Sequence, residues 1–438
     1  MRVRLSLLLC ALLLPLLPAQ AAASEQKEEK VEEQPVVEEQ QEETVGRYVY
    51  WDDGLQLTGR KSRWDLKVGG KMNYDLGYSD AGEEIEEAFP DFEGFHSGFR
   101  RLSVSFFGHL INVFEFKLEI DFANVKDIKD NWVRIMKGPV LPYFTIGNVD
   151  EPFSMNNLES SSYMTFMEPA LPTSAFSPGR NIGVTANGST FVERMTLAGG
   201  IFLNTGSFST VGEATDQIEN ANGFDVTGRL TWLPRYSEEN RELVHLGLSF
   251  SHRVRDAEED DPSANFRSRP ESRLTDDYLV ETGSFLNRRQ EVAGIEAAWR
   301  NGPLSLQGEY FHVFVDADEN VDFCGWYVSG SWVLTGESRA YSRSGGLFAG
   351  IRPKRTFQPA KGGWGALELA ARYSAVDLND KSIRGGKERN VTLGLNWYLK
   401  RKVRLMINYI HARVKDRLDP TIEDSRADIL MSRFQVSF

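Results

Sequence analysis

The chain has 438 residues, a formal net charge of -13 and 41% hydrophobic residues. Beyond the N-terminal leader, no apolar run reaches the ~18 residues of a membrane-spanning helix, which excludes a helical membrane protein. The negative balance, without a clustered basic patch, argues against nucleic-acid binding, so no nucleic-acid partner is expected.

Residues 1–23 show the three parts of a secretory signal peptide. Arg2 and Arg4 precede a leucine-rich run, and small residues up to Ala23 supply the cleavage site. The mature chain is therefore expected to leave the cytoplasm.

Residues 24–54 follow as an acidic segment. Its first part, residues 24–43, carries nine Glu and two Lys, which predicts a largely disordered periplasmic tail. A short oligomerising coiled coil is the alternative, although Pro35 and the lack of heptads disfavour it. The signal contributes a charge of +2 and the tail -7, which leaves -8 for the body.

Residues 55–438 repeat one pattern, an alternation of apolar and polar residues that ends at Gly, Asn, Pro or Asp. In NVFEFKLEIDFANV (112–125), Phe114 and Phe116 fall on one face and Glu115 and Lys117 on the other. A period of two is typical of strands with one apolar face. Sixteen strands are predicted, at 65–78, 98–110, 112–126, 130–137, 141–149, 180–187, 191–203, 223–233, 243–254, 288–300, 304–315, 324–335, 365–378, 389–400, 403–415 and 429–438.

The connections between these strands alternate in length. Short links such as 110–112 and 400–402 separate longer polar segments such as 79–97 and 255–287. Short turns on one rim and long loops on the other are typical of outer-membrane barrels. Residues 336–364 fall on the short-turn side and are far too long for a turn; their role is not assigned, and folding back toward the lumen would accommodate them.

The apolar faces carry aromatic residues near strand ends, among them Tyr78, Trp232 and Trp397, where membrane-interface girdles lie. The last strand ends on Phe438, which resembles the membrane-insertion signal of bacterial outer-membrane barrels. Strand edges cannot stay unpaired in hydrocarbon. We therefore predict an all-β protein, a transmembrane antiparallel β-barrel of about 16 strands. Its expected partners are outer-membrane lipid and, through the C-terminal strand, the barrel assembly machinery; a secreted soluble barrel is the alternative.

The segment LPYFTIGNVDEPFSMNNLESSSYMTFMEPALPTSAFSPGRNIGV (141–184) resembles the phosphate-selective porin O and P family. YVSGSWVLTGESRAY (327–341) and GGWGALELAARYSAVDL (362–378) are similar to that family as well, and the resemblance spans about residues 55–438. It implies a homotrimer of sixteen-stranded barrels in the bacterial outer membrane. It also implies that residues 151–179 form an inward-folded constriction loop and that basic residues lead anions such as phosphate or polyphosphate through the pore.

Arg180, at the end of this loop, is the leading constriction candidate. Its planar, permanently charged guanidinium suits phosphate-like oxyanions. Pairing with Glu151 or Glu168, to fix the loop to the wall, is the structural alternative. Further basic residues on the polar faces are candidates for the anion path: Lys67, Lys71, Arg101, Lys117, Arg134, Arg229, Arg253, Arg300 and Arg372. If aligned, they would pass an anion from site to site.

Acidic residues favour a different selectivity. The constriction loop and its start carry Asp150, Glu151, Glu159 and Glu168, and Asp150 stands where family members have a lysine before Glu-Pro-Phe. The polar faces also hold Asp75, Glu115, Glu119, Asp121, Asp225, Glu296, Glu309 and Glu368. A general or cation-preferring porin with a mixed-charge lumen is therefore the alternative to an anion channel.

An enzymatic barrel would need a Ser-His-acid constellation or a metal site. The six His residues are scattered, and the sequence has no HExxH, CxxC or GxSxG motif. We therefore expect no enzymatic activity, no cofactor and no metal. An adhesin would need long extracellular loops, and 255–287 is the sizeable one. Passive diffusion of small ions and hydrophilic solutes is the predicted function.

Overall fold

The computed structural model describes residues 49–51, 54–59, 63–111, 113–123, 127–135, 143–190, 193–205, 223–255 and 263–438. The predicted signal peptide at 1–23 and most of the acidic segment at 24–54 lie outside the described residues. Among the helices in the described ranges, none is long and apolar enough to cross a membrane.

Sixteen antiparallel strands form the wall. They are β1 (Trp64–Ala81), β2 (Gly94–Leu110), β3 (Phe114–Asp121), β4 (Asp127–Ile135), β5 (Tyr143–Asp150), β6 (Arg180–Thr190), β7 (Met195–Leu203), β8 (Phe224–Ser237), β9 (Glu242–Val254), β10 (Arg289–Asn301), β11 (Leu304–Asp316), β12 (Val321–Val333), β13 (Ala366–Asp380), β14 (Ile383–Lys400), β15 (Val403–Arg417) and β16 (Ile422–Ser437). Each strand pairs with the next, and β16 pairs with β1, with Ser437 opposite Lys71. The predicted sixteen-stranded barrel is confirmed, and its closure pairs the strand edges that hydrocarbon would not tolerate.

All sixteen predicted strands are present, but several ends differ. The largest shifts are on the long-loop side, where β14 begins at Ile383 instead of 389 and β16 at Ile422 instead of 429. The predicted long connections at 379–388 and 416–428 are therefore largely strand. These stretches lie beyond the apolar band, where the outer face meets water and the inner face packs against loop residues, so backbone pairing continues after the alternation has ended.

The alternation read from the sequence matches the two faces of the wall. On β3, Phe114 is 38% exposed and Phe116 36% exposed, whereas Glu115 and Glu119 are buried on the lumen side. The apolar side chains therefore face outward and the charged ones inward, as predicted.

The lumen side is not polar all the way round. Strands β11 to β16 also turn apolar side chains inward, including Phe311, Val313, Val376, Ile410, Val414 and Ile429. Loop residues Leu171, Phe176, Phe266 and Leu279 pack against them. Burial of this apolar surface holds the loops against one side of the barrel, so the open part of the lumen lies toward β1 to β6.

The connections contain short elements. The helices are α1 (Glu83–Ala88), α2 (Met155–Leu158) and α3 (Leu171–Phe176), with a 3-10 turn at Pro359–Lys361. Within 263–287, Arg267–Ser268 pairs with Val280–Glu281 and Ser263–Ala264 with Phe285–Leu286. The segment DDYLVETG (276–283) thus lies in the predicted loop 255–287 and adds no strand to the wall.

Both ends of the described chain meet on β1. The strands Val49–Trp51 and Leu55–Thr58 form a hairpin that pairs with the part of β1 not covered by β16. The pairing in the described residues therefore extends into the predicted 24–54 segment. Phe438 exchanges two backbone hydrogen bonds of 3.0 Å with Gly70, and its ring lies 5.9 Å from that of Trp51.

Candidate functional site

Residues 151–179 fold into the lumen, where inward-facing wall residues hold them. Arg404 Nη1 donates to the carbonyl of Met164 at 2.7 Å. Glu309 Oε1 accepts from the backbone N–H of Asn156 at 2.8 Å. Charge-assisted bonds of this kind hold the loop against the inner side of the wall.

A polar cavity of about 400 Å³ lies between this loop and the wall from β1 to β6. Its basic side chains are Lys71, Arg100, Arg101, Lys117, Lys129, Arg180, Arg273 and Arg433, and its acidic ones are Glu119, Asp130, Asp150, Glu159 and Glu168. Eight basic groups against five acidic groups leave an excess of three positive charges. The body of the chain, by contrast, carries a net charge of -8.

Two lysines on the wall share one carboxylate. Lys71 Nζ lies 3.1 Å from Glu119 Oε1, and Lys117 Nζ lies 2.9 Å from Glu119 Oε2. Lys117 also bonds to Asp130 on β4. About a quarter of each lysine side chain is exposed to the cavity, so both cations can meet a passing ion.

Arg180 pairs with different carboxylates from those predicted. Its Nη2 lies 2.6 Å from Asp150 Oδ2 and its Nε 3.0 Å from Asp130 Oδ1. The alternative pairing with Glu151 or Glu168 does not form, because those two carboxylates are held by other partners. Arg180 lines the cavity with 30% of its side chain exposed.

Arg101 is a cavity cation with a distant partner. Its Nη1 lies 3.8 Å from Asp121 Oδ2, which is beyond hydrogen-bond distance. Its neighbour Arg100 lines the same cavity, although strict alternation would point it outward. A β-bulge explains this, because Asn73 pairs with Arg101 and Tyr74 with Phe99, which leaves Arg100 as an extra residue.

Three guanidinium groups converge on Glu168. Arg100 Nε and Arg433 Nη2 each lie 2.7 Å from Oε1, and Arg273 Nε lies 3.6 Å from Oε2. Although burial opposes ionisation, Arg100 and Arg433 hold the pKa of Glu168 well below its usual range. Sequence reasoning missed Arg433, although the alternation with Phe434 places it on the lumen face.

Replacing Arg433 with Met is expected to destabilise the barrel strongly. Asp75 and Glu168 would lose a nearly fully buried cation 2.7 Å away, and breaking such a pair costs about 3–5 kcal/mol. Denaturant unfolding in detergent should show this loss. The matched control is Arg235→Met, whose side chain is 68% exposed; removing an exposed pair should cost roughly 0–1 kcal/mol. Equal losses for the two variants would contradict the prediction.

Two predicted anion-path arginines hold residues 336–364 inside the barrel. Arg229 Nη2 donates to the carbonyl of Gly346 at 2.8 Å, and Arg300 Nη1 to that of Arg339 at 2.6 Å. Neither arginine lines the cavity. The segment therefore does fold back toward the lumen, and these two arginines act as its anchors.

Arg253 and Arg372 likewise anchor loops instead of lining the cavity. Arg253 Nη2 lies 2.6 Å from Asp225 Oδ2, and its Nη1 3.5 Å from Glu151 Oε1. Arg372 Nη2 lies 2.7 Å from Glu271 Oε2. Burial also raises the pKa of Glu151, despite the opposing charge of Arg253.

The two remaining candidates lie elsewhere on the wall. Lys67 is near the hairpin end of β1, opposite Gln56. Arg134 Nη1 lies 3.2 Å from Glu115 Oε2, and its guanidinium stacks 4.4 Å from the ring of Trp132. Four of the ten predicted cations, Lys71, Arg101, Lys117 and Arg180, therefore meet around one cavity.

The family model of the phosphate-selective porin O and P family matches residues 66–438. The chain belongs to this family. It is 22% identical over 426 residues to Porin O of Pseudomonas aeruginosa, covering 88% of this chain and 91% of that protein. An uncharacterised protein of Caulobacter vibrioides is 27% identical over 368 residues, covering 82% of this chain and 71% of that protein.

A solved structure shows the same fold at low identity. The trimer form of OmpT, an outer membrane protein of Vibrio cholerae, has a TM-score of 0.50 and 10% identity, covering 86% of this chain and 99% of that chain. Family membership and the closed barrel make this protein a porin of the bacterial outer membrane.

Proposed function

We propose that this porin conducts small anions, in particular phosphate-like oxyanions, through the cavity between residues 151–179 and the wall from β1 to β6. The observation that carries the proposal is the lining of eight basic and five acidic side chains. Guanidinium and ammonium groups are the side chains that suit oxyanions best, and the family name points to the same substrate class.

A smaller cavity of about 230 Å³ supports an approach path on the long-loop side. It is lined by Arg267, Arg269 and Arg273, and it shares Glu168 with the larger cavity. The guanidinium groups of Arg267 and Arg269 each lie 4.1 Å from the ring of Tyr278, which fixes their positions. An anion would then pass from these arginines to Arg101, because Arg273 lines both cavities.

The carboxylates inside the cavity fit this mechanism. Conduction requires sites that attract an ion and release it again. Glu119 and Asp130 lie between Lys71, Lys117 and Arg180, so each cation is partly neutralised and binds an anion weakly. Asp150, which favoured the cation-preferring alternative, lies 2.6 Å from Arg180, and its charge is thereby compensated.

Reversal potentials in a KCl gradient test the proposal. The purified porin in a planar bilayer should give the sign of an anion-selective pore, and added phosphate should reduce the chloride current by occupying the same cavity. A cation-selective reversal potential would contradict the proposal and support the general or cation-preferring porin. Anion selectivity without any effect of phosphate would limit the substrate class to small anions.

The anion preference should weaken as the pH rises through about 7. Glu159 lines the cavity, and burial raises its pKa to about 7 against the opposing charge of Arg339. Below that pH the carboxyl is neutral, so the excess positive charge is larger by one. Reversal potentials between pH 5.5 and 8.5 measure this shift. Glu159→Gln should remove the pH dependence, and a wild-type value constant over this range would contradict the prediction.

Assembly forms the last part of the proposal. We propose a homotrimer that is secreted with residues 1–23 as its signal and inserted by the barrel assembly machinery, which recognises Phe438 on the last strand. Support comes from the family resemblance and from the exposed position of Phe438 beside Gly70. Native mass spectrometry of the detergent-extracted porin measures the oligomeric state, and a monomer would contradict the trimer.

A further inference from the structure

Three arginines stand side by side on the outer face of the barrel. Arg389 on β14 pairs in register with Arg413 on β15, which pairs with Arg426 on β16. All three are exposed. Like charges directly opposite one another on a sheet destabilise it, so the row requires a source of negative charge.

The protein itself supplies that charge to one member of the row. Arg413 Nε donates to Asp424 Oδ1 at 2.7 Å, and Lys415 shares the same carboxylate, with Nζ 2.7 Å from Oδ2. In the part of the chain that the structure describes, Arg389 and Arg426 form no ion pair within 4.0 Å. Two guanidinium groups are thus left for an anion of another molecule.

The nearby carboxylates are already engaged. Asp428 Oδ1 accepts from Tyr409 at 2.6 Å and lies 2.8 Å from His411 Nδ1. Glu84 Oε2, on α1, accepts from the backbone N–H of Glu423 at 2.8 Å. A depression of about 560 Å³ beside the row is lined by Arg413, Arg426 and His411 together with Asp424, Glu83 and Glu84.

The row lies at the end of the apolar band nearest the long loops. Between the row and the short-turn side, the outward residues of β14 are Val391, Leu393, Leu395 and Trp397. From Val403 to Arg413 the strand rises roughly 25 Å, at about 3.4 Å per residue and a tilt near 40°, which is about the height of the apolar band of an outer-membrane barrel. The guanidinium groups therefore lie at the headgroup level of the outer leaflet.

Strand lengths favour lipid over a second copy on this face. Strands β13 to β16 have 15, 18, 15 and 16 residues. All four exceed the ~9–11 residues that cross a bilayer, so this part of the wall spans the membrane on its own.

We propose that Arg389 and Arg426, on either side of Arg413, bind the phosphate groups of the phosphorylated glycolipid of the outer leaflet, lipid A. Guanidinium groups bind phosphate through two parallel N–H···O bonds, and basic surfaces at headgroup level attract anionic lipid. The lipid phosphates would relieve the repulsion within the row, while the acyl chains lie along the apolar columns below it.

Titration of the full-length, detergent-purified porin with bisphosphorylated lipid A, followed by native mass spectrometry, tests the proposal. The variant R389Q/R413Q/R426Q should bind lipid A at least tenfold more weakly than the wild type. Arg235→Gln, which removes an exposed arginine on the short-turn rim, should bind like the wild type. The wild type and the triple variant should bind dephosphorylated lipid A with equal affinity.

Two outcomes would overturn the proposal. One is equal lipid A affinity for the wild type and the triple variant. The other is loss of the oligomer in the triple variant without any lipid present, which would assign the row to contacts between subunits. Heat-modifiable migration and unchanged single-channel conductance establish that the variant is folded. Arg389→Gln and Arg426→Gln, taken singly, should each weaken binding about threefold and serve if the triple variant does not assemble.

Discussion

The variant K71Q/R101Q/K117Q is expected to lose the anion preference of the pore. It reduces the cavity lining to five basic and five acidic side chains. One charge at about 8 Å in an effective dielectric of about 20 contributes about 2 kcal/mol, and ~1.4 kcal/mol is a tenfold factor. We therefore expect the anion-to-cation permeability ratio, measured from reversal potentials, to fall at least about tenfold.

Lys67→Gln is the matched control for this change. Lys67 is a lysine on the same strand as Lys71, but it lies outside the cavity lining. Its replacement should leave the permeability ratio near the wild-type value. An unchanged ratio in the triple variant would mean that ions pass the barrel by another route.

Removing residues 341–348, the tip of the segment 336–364, is expected to increase the single-channel conductance. The backbone N–H of Ala349 donates to the carbonyl of Ala340 at 2.8 Å, so two glycines can replace 341–348 without moving its ends. The deleted residues include Tyr341, whose hydroxyl lies 2.6 Å from His245 Nδ1 on the wall. Because a wider lumen carries more ions, the single-channel conductance in KCl should rise about twofold or more.

Replacing Lys381 and Ser382 with glycine is the control, because this turn lies at the opposite rim. The single-channel conductance of this control variant should equal that of the wild type. If the deletion leaves the conductance unchanged while the barrel still folds, the segment does not narrow the conducting path.

The barrel could be predicted because its wall obeys one rule. An outward residue such as Phe114 meets lipid and its neighbour Glu115 meets the lumen, so each strand carries its own signal. The extensions of β14 and β16 were missed, because their outer face lies beyond the lipid and loses the apolar signal while backbone pairing persists. The inward apolar residues of β11 to β16 have a different origin, since loops packed inside the lumen present an apolar surface to the wall.

The site was harder to predict than the wall. Alternation correctly turned Arg229, Arg300 and Arg372 inward, but it does not show what lies opposite each of them. All three bind loop backbone or loop carboxylates. Arg100 was missed because a single bulge moves it to the lumen side. Strand periodicity thus predicts on which face of the wall a residue lies, whereas contacts with loops distant in sequence determine its role.

The bond between the last strand and the inward loop constrains the order of assembly. Arg433 binds Asp75, 358 positions earlier, and the carbonyl of Met167, 266 positions earlier. Until β16 has been synthesised, β1 has no partner on that edge and residues 151–179 lack this donor. Contacts so distant in sequence form slowly, because a large chain entropy must be lost first. Closure of the barrel and placement of residues 151–179 in the lumen are therefore one late event. A chain truncated before β16 would have neither a closed barrel nor a fixed loop in its lumen.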